Sequence, residues 1–308
     1  MRIVVLDGYT LSQGKAVWGS IASQGELTVH DRTTREQLLE RARDAEVLLT
    51  NKTPLRQDLL EQLPALKYIG VMATGYNVVD VQAARRRGIP VSNVPEYGTD
   101  SVAQLTIALL LELCHHVGDH HRAVRDGEWT HAPDWCFWKH PLVELSGLKM
   151  GIVGYGRIGR KVGEIARALG MEVTAASRSQ KESIPSIFAE ADVVSLHCPE
   201  TPETRGFVTA ELLRRMKKSA FLLNTSRGSL IDEKSLAAAL NDGVLAGAAL
   251  DVVSLEPIRA DNPLLHARNC ILTPHLAWAT EAARGRLISE TAGNLAAFRE
   301  GRPRNVVN

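Results

Sequence analysis

The stretch Lys149-Met150-Gly151-Ile152-Val153-Gly154-Tyr155-Gly156-Arg157-Ile158-Gly159 decides the fold class of this chain. Its first half is a short apolar run of buried-strand character. Its second half is a G-x-G-x-x-G turn opening a helical pattern that runs to Leu169 and ends at Gly170. In that setting Gly154 permits a tight turn, Gly156 lets backbone approach a pyrophosphate, and Gly159 lets helix pack on strand. The helix N-terminus offers unpaired N–H groups to phosphate oxygens. With a second strand expected over 172–175, the unit reads as a dinucleotide site, and Tyr155, Arg157 and Ile158 belong to its loop.

The tip of that second strand separates the two nicotinamide dinucleotides, because an acid there accepts from the ribose 2′-OH and repels a 2′-phosphate. The tip is Ser177, 18 positions after Gly159, followed by Arg178, Ser179 and Lys181 with no carboxylate before Glu182. Two hydroxyls and two cations suit a phosphate dianion, so NADP(H) is expected over NAD(H).

Outward from this unit, short β-branched runs (3–6, 47–49, 68–71, 193–196 and 220–223) alternate with helix-length segments, which implies parallel sheets and an α/β class. Helix ends are marked by Thr34, Asp80 and Asp232 at N-caps and by Asn241-Asp242-Gly243 at a C-terminus. A long helix from Thr99 to about Arg125 and an irregular aromatic-rich stretch, 127–146, precede the second strand series. The helical segment 280–299 follows the last strand and is free to return to the first half. Two domains are expected: 1–98 with 281–308, and 99–280.

The 308 residues carry 36 Lys+Arg against 35 Asp+Glu, with no basic excess to neutralise a phosphate backbone, so a nucleic-acid partner is not expected. The longest apolar stretch, 105–113, is broken by Thr106 and Glu112 and is far short of a membrane span, and the N-terminus reaches Asp7 after four apolar residues. The protein is expected in the cytoplasm, without a membrane partner. Cys114, Cys136, Cys198 and Cys270 form no C-x-x-C pair and are expected to be reduced core thiols.

Three further residues end strands or follow them: Arg227 in Asn224-Thr225-Ser226-Arg227-Gly228, Glu256 in Asp251-Val252-Val253-Ser254-Leu255-Glu256-Pro257, and His275 in Thr273-Pro274-His275. Loops after parallel strands are where α/β sheets place ligands. An Arg fork binds a carboxylate, and a His with an ordinary pKa of about 6.5 exchanges protons near neutrality. Together with Ala73-Thr74-Gly75-Tyr76-Asn77-Val78-Val79-Asp80 and the glycine unit, these segments resemble the D-isomer-specific 2-hydroxyacid dehydrogenases over nearly the whole chain. Within them, they resemble the glycerate dehydrogenase/hydroxypyruvate reductase group.

That resemblance implies two Rossmann-like domains with the active site in the inter-domain cleft. Arg227 orients the substrate, His275 is acid or base, and Glu256 pairs with His275. It further implies that backbone N–H groups at Thr74 and Gly75 cradle the substrate carboxylate. Asp251 meets the nicotinamide carboxamide, and Cys198-Pro199 runs along the adenosine. Ser226 stands where many relatives carry Ala. The expected reaction is reduction of hydroxypyruvate or glyoxylate to D-glycerate or glycolate, or the reverse. The rivals are a nicotinamide-sensing protein on the same fold and a dehydrogenase for another 2-oxo acid such as 3-phosphohydroxypyruvate.

His116 and His120, spaced i,i+4, raise a metal site, but no H-E-x-x-H pattern accompanies them and hydride transfer needs no metal, so a polar helix face is the preferred reading and no metal is expected. Trp129, Trp135, Phe137 and Trp138 cluster in the irregular stretch. Aromatic enrichment at subunit contacts, and the use of this region by relatives, imply a homodimer.

Overall fold

A computed structural model of the chain describes residues 1–177 and 183–308. The chain divides into two compact units, one made of 1–98 with 279–308 and the other of 99–278.

The first unit holds β1 (Arg2–Val5), β2 (Glu26–Val29), β3 (Val47–Thr50), β4 (Tyr68–Val71) and β5 (Val91–Ser92) in a parallel sheet of order β2-β1-β3-β4-β5. The central strands β3 and β4 are buried throughout, as continuous apolar runs in a parallel sheet should be. Helix Glu281–Arg299, capped by the Thr280 hydroxyl, belongs to this unit. Asn294 donates to the Asn93 carbonyl (2.9 Å), Arg286 to the Tyr97 carbonyl (2.9 Å), and Phe298 stacks on Tyr68. The last residues then close the sheet edge: Val307 N–H donates to the Val91 carbonyl (2.8 Å) and the Asn308 side chain accepts from Val91 N–H (2.8 Å).

The second unit holds β6 (Lys149–Val153), β7 (Glu172–Ala176), β8 (Val193–Leu196), β9 (Phe221–Asn224), β10 (Gly247–Leu250) and β11 (Cys270–Leu272), all parallel, in the order β11-β10-β9-β8-β6-β7. Apolar layers cover both faces. Leu196, Leu222 and Leu250 lie on one side, and Ile152, Leu223 and Ala249 on the other with Ala103, Ile107 and Leu110 of helix Thr99–His115. Among the described residues only β7 lies beyond β6, while β8 to β11 follow one another on its other side, so the order of strands reverses at β6 and β8. In open α/β sheets that reversal opens a crevice at the strands' carboxyl ends.

The long helix expected from Thr99 to about Arg125 is two helices, Thr99–His115 and Val117–Arg125, bent by 56°. His116 takes a left-handed φ of +49° at the break, and the Glu112 carboxylate accepts from Gly118 N–H (3.1 Å), replacing a helical bond lost there. No single helix among the described residues is long and apolar enough to cross a membrane. Of the four free thiols only Cys114 is fully in the core; Cys136, Cys198 and Cys270 are partly buried, because two of them follow or begin strands rather than sit within helices.

Candidate active site

Parallel pairing sets Ala176, Val153, Leu196, Asn224, Leu250 and Leu272 in one row across the second sheet. Just beyond this row each strand enters a loop, so every candidate residue of this unit emerges on the same edge.

After β6, Gly154 has φ +99°, and a Cβ there would lie 2.5 Å from the backbone of His197 and Cys198. Side chains are therefore excluded by both conformation and space. A Cβ at Gly159 would lie 2.3 Å from the Gly154 carbonyl, which keeps helix Arg157–Ala168 close on its strand. At Gly156, the N-cap, a Cβ meets nothing within 4 Å among the described residues, and none of their side chains caps the helix. Open space over uncapped helix N–H groups is what a dinucleotide's pyrophosphate requires. A cavity of about 360 Å³ lies here, lined by Gly154, Tyr155, Gly156, Ala176, Ser177, Ile184, His197, Cys198, Pro199 and Thr204, among others. The residues present thus fit a nicotinamide dinucleotide.

Of the expected cofactor residues, Ile158 packs partly buried against the core and Arg157 is exposed at the helix start. Arg178 and Ser179, with Lys181, lie outside the described residues. His197 was not anticipated. Its Nε2 is 2.8 Å from the Ser195 hydroxyl, its Nδ1 is buried with no partner among the described residues, and burial pushes its pKa down to about 4. It therefore faces the cavity as a neutral imidazole. Burial also pushes the Cys198 thiol up to about 11, so this cysteine is no nucleophile.

After β9, buried Asn224 shapes the turn that presents Arg227. Its Oδ1 accepts from Ser226 N–H and from the Ser226 hydroxyl (both 3.1 Å), and its Nδ2 donates to the Arg227 carbonyl (2.8 Å). Arg227 is extended and donates one bond from Nη1 to the Ser226 carbonyl (2.7 Å). A Cβ on Gly228 would fall 1.9 Å from the Val253 carbonyl carbon, so this turn is seated directly on the loop that leads to Glu256.

That loop, after β10, is held by a residue the sequence did not mark. Glu233, the first residue of helix Glu233–Asn241, accepts from Ser254 N–H (2.5 Å), the Ser254 hydroxyl (2.8 Å) and the Asn262 side chain (2.9 Å). At the end of the loop, Glu256 Oε2 lies 2.6 Å from His275 Nδ1. A carboxylate only accepts, so Nδ1 carries the proton and Nε2 is the ring atom left for chemistry.

After β11, His275 has φ +53°, a costly conformation for a non-glycine residue. Two bonds from its N–H, to the Asp251 carbonyl (2.8 Å) and the Thr273 carbonyl (3.0 Å), hold it there. The buried Asp251 carboxylate accepts from the Thr273 hydroxyl (2.6 Å), Leu276 N–H (2.9 Å) and Ala277 N–H (2.8 Å). Burial pushes its carboxyl above the usual range, against the opposing pull of those bonds. In this arrangement Asp251 is the anchor of the His275 loop. Thr74 and Gly75 belong to the first unit, in the bend after β4. There the Thr74 hydroxyl donates to the Val94 carbonyl (2.9 Å) and its own carbonyl accepts from the Asn93 side chain (2.7 Å).

Comparison with known proteins places this geometry in context. Residues 107–277 match the family described as D-isomer specific 2-hydroxyacid dehydrogenase, NAD binding domain. The chain is 50% identical over 321 residues to a hydroxypyruvate reductase of Blautia hydrogenotrophica, covering 100% of both chains. It is 40% identical over 279 residues to a glycerate dehydrogenase of Methylorubrum extorquens, covering 89% of each. Among solved structures, an NADPH-dependent glyoxylate/hydroxypyruvate reductase from Sinorhizobium meliloti in complex with NADP and malonate superposes with TM-score 0.83. That protein is 28% identical, with 99% of this chain and 96% of that one covered.

Proposed function

The chain belongs to the D-isomer specific 2-hydroxyacid dehydrogenases, and from that premise we propose that it reduces hydroxypyruvate and glyoxylate, with D-glycerate oxidation as the reverse reaction. It is an oxidoreductase of 2-hydroxy acids with a nicotinamide-binding domain. The observation that carries the assignment of roles is the 2.6 Å contact between His275 Nδ1 and Glu256, on a loop against which the Arg227 turn is seated.

When bound, the reduced nicotinamide supplies the hydride. Arg227 holds the substrate carboxylate by two parallel bonds and so fixes the carbonyl in the plane of its guanidinium. His275 gives the Nε2 proton to the carbonyl oxygen as negative charge develops on it. Glu256 keeps the ring oriented through Nδ1–H and balances the imidazolium charge. Backbone N–H groups of Thr74 and Gly75 are the further carboxylate donors in this proposal, and Asp251 meets the carboxamide with the lone pair its loop contacts leave over.

NADPH is the preferred reductant in this proposal. Ser177 lines the cavity at the end of β7, and the solved relative bound to NADP is NADPH-dependent. The expected result is a kcat/KM for hydroxypyruvate that is higher with NADPH than with NADH. A Ser177→Asp substitution reverses the order by placing a carboxylate against the 2′-phosphate. A tenfold preference of the unaltered enzyme for NADH, about 1.4 kcal/mol, would sink the cofactor assignment. Turnover of 3-phosphohydroxypyruvate in preference to hydroxypyruvate would reassign the substrate. Cofactor binding without turnover of any 2-oxo acid would favour the sensor.

The partner in this proposal is a second copy of the chain. Trp135 is 86% exposed and Trp138 67%, with exposed Val117, Val124 and Leu142 near them in sequence, an unusual density of uncovered apolar side chains. Sedimentation is expected to give a dimer at micromolar concentration, weakened by Trp138→Ala. A fully active monomer at that concentration would exclude this interface.

A further inference from the structure

Spacing along the chain pairs His116 with His120, but the fold assembles a different set. Because the helix breaks at His116, that residue, Asp119 in the next turn, and His140 from the irregular stretch converge. Their ligand atoms all lie within 4.8 Å of one another. His140 Nε2 is 3.3 Å from Asp119 Oδ2, and the rings of His116 and His140 are 4.3 Å apart at a tilt of 35°. Two ligands bonded to a tetrahedral zinc ion at about 2.1 Å stand about 3.4 Å apart, so the His140–Asp119 pair already has the required separation. His116 needs to close by about 1.4 Å at most, within reach of a ring rotation.

The surroundings hold these groups in place. His120 spans from the helix to the His140 strand of chain: its Nδ1–H donates to the His116 carbonyl (2.9 Å), and its Nε2 accepts from Lys139 N–H (3.1 Å). Both nitrogens of His120 are thereby used, which is why it is not a ligand. Arg122 bonds the Asp119 Oδ1, leaving Oδ2 directed at His140. A ligating carboxylate is ordinarily oriented by such a partner on its other oxygen. The three side chains are half-buried, and each offers one donor atom toward a common point.

We propose that His116, Asp119 and His140 form a binding site for one divalent zinc-type ion, completed by water in the fourth position. Two imidazoles and one carboxylate select zinc and its transition-metal neighbours over magnesium and calcium, which take all-oxygen sets. The ion ties the irregular stretch bearing Trp135 and Trp138 to helix Val117–Arg125. None of its three ligands comes from the Arg227, Glu256 or His275 loops.

The test uses the full chain, free of any histidine tag and stripped with a chelator, titrated at neutral pH with Zn²⁺ by calorimetry and with Co²⁺ by visible absorption. One ion per chain is expected, with the intense visible bands of tetrahedral Co²⁺ and a change in tryptophan fluorescence. His140→Gln is expected to weaken the affinity about tenfold or more, as is His116→Asn, which keeps a residue tolerant of positive φ at the helix break. His121→Gln, an exposed neighbour outside the set, should bind like the unaltered chain. Absence of a stoichiometric ion, or binding that survives both substitutions, overturns the proposal.

Discussion

Replacing His275 by Asn is expected to lower kcat for hydroxypyruvate reduction by about 10²- to 10⁴-fold, the usual range for removing a general acid, while NADPH still binds. Asn is the informative substitute. Position 275 sits at φ +53°, where Asn is among the few residues that settle without added strain, so the loss reports missing chemistry rather than a distorted loop. Steady-state kinetics with a fluorescence titration of NADPH separate the two effects. A fall of less than about tenfold would remove His275 from the proton-donating role. Glu256→Gln extends the test. The ring then loses the carboxylate that orients it through Nδ1 and balances its charge as the proton is passed, so kcat for reduction falls by more than about tenfold while NADPH still binds. An unchanged kcat contradicts a working Glu256–His275 pair.

Gly228→Ala should be nearly as damaging although no reacting group is touched. The added methyl would meet backbone atoms of Val253 and Ser254 at 1.9 to 2.4 Å, and backbone cannot rotate aside as a side chain can. The Arg227 turn and the Glu256 loop must therefore separate, and displacement of a positioned group by about 1 Å costs on the order of 10²-fold in kcat/KM. Overpacking should also remove about 1–3 kcal/mol of stability, visible as a lower urea midpoint. Gly285→Ala provides the contrast. It lies within helix Glu281–Arg299 with nothing within 4 Å, so the same methyl should leave activity intact and raise stability by up to about 1 kcal/mol. Equal behaviour of the two variants would mean that the Arg227 and Glu256 loops are not coupled through Gly228.

What could be read from sequence was local. The strand, glycine turn and helix around Gly154 are consecutive, so their pattern carries the βαβ unit without knowledge of the rest of the chain. The strands whose bounds the sequence left unread lack a local signature. Gly247–Leu250 is Gly-Ala-Ala-Leu, a composition as suited to a helix; Val91–Ser92 is two residues long; Glu26–Val29 is a half-exposed edge. In these segments pairing with neighbours, not propensity, decides the conformation.

The same division runs through the site. Arg227, Glu256 and His275 could be picked out because each stands in a distinctive short motif, and the loops that bear them are held by contacts no motif contains. Glu233 reaches Ser254 from 21 residues away, and Asp251 gathers the backbone of Leu276 and Ala277 across 25 and 26 residues. The helix break at His116 was equally hidden, since Thr99 to about Arg125 reads as one helix until Glu112 captures the Gly118 N–H.

The split composition of the first unit bears on how the protein is made. Its sheet begins with residue 2, yet the helix that covers Tyr68 and the residues that pair with the β5 edge belong to 279–308. On a ribosome adding 5–20 residues per second, roughly 10 to 40 s separate the emergence of residue 98 from that of the closing segment. Residues 99–278 are made in that interval and hold their own cores. Residues 1–98 therefore wait with an uncovered strand edge while 99–278 are made, and a chain that stops before 279 leaves that edge open to pairing with other chains.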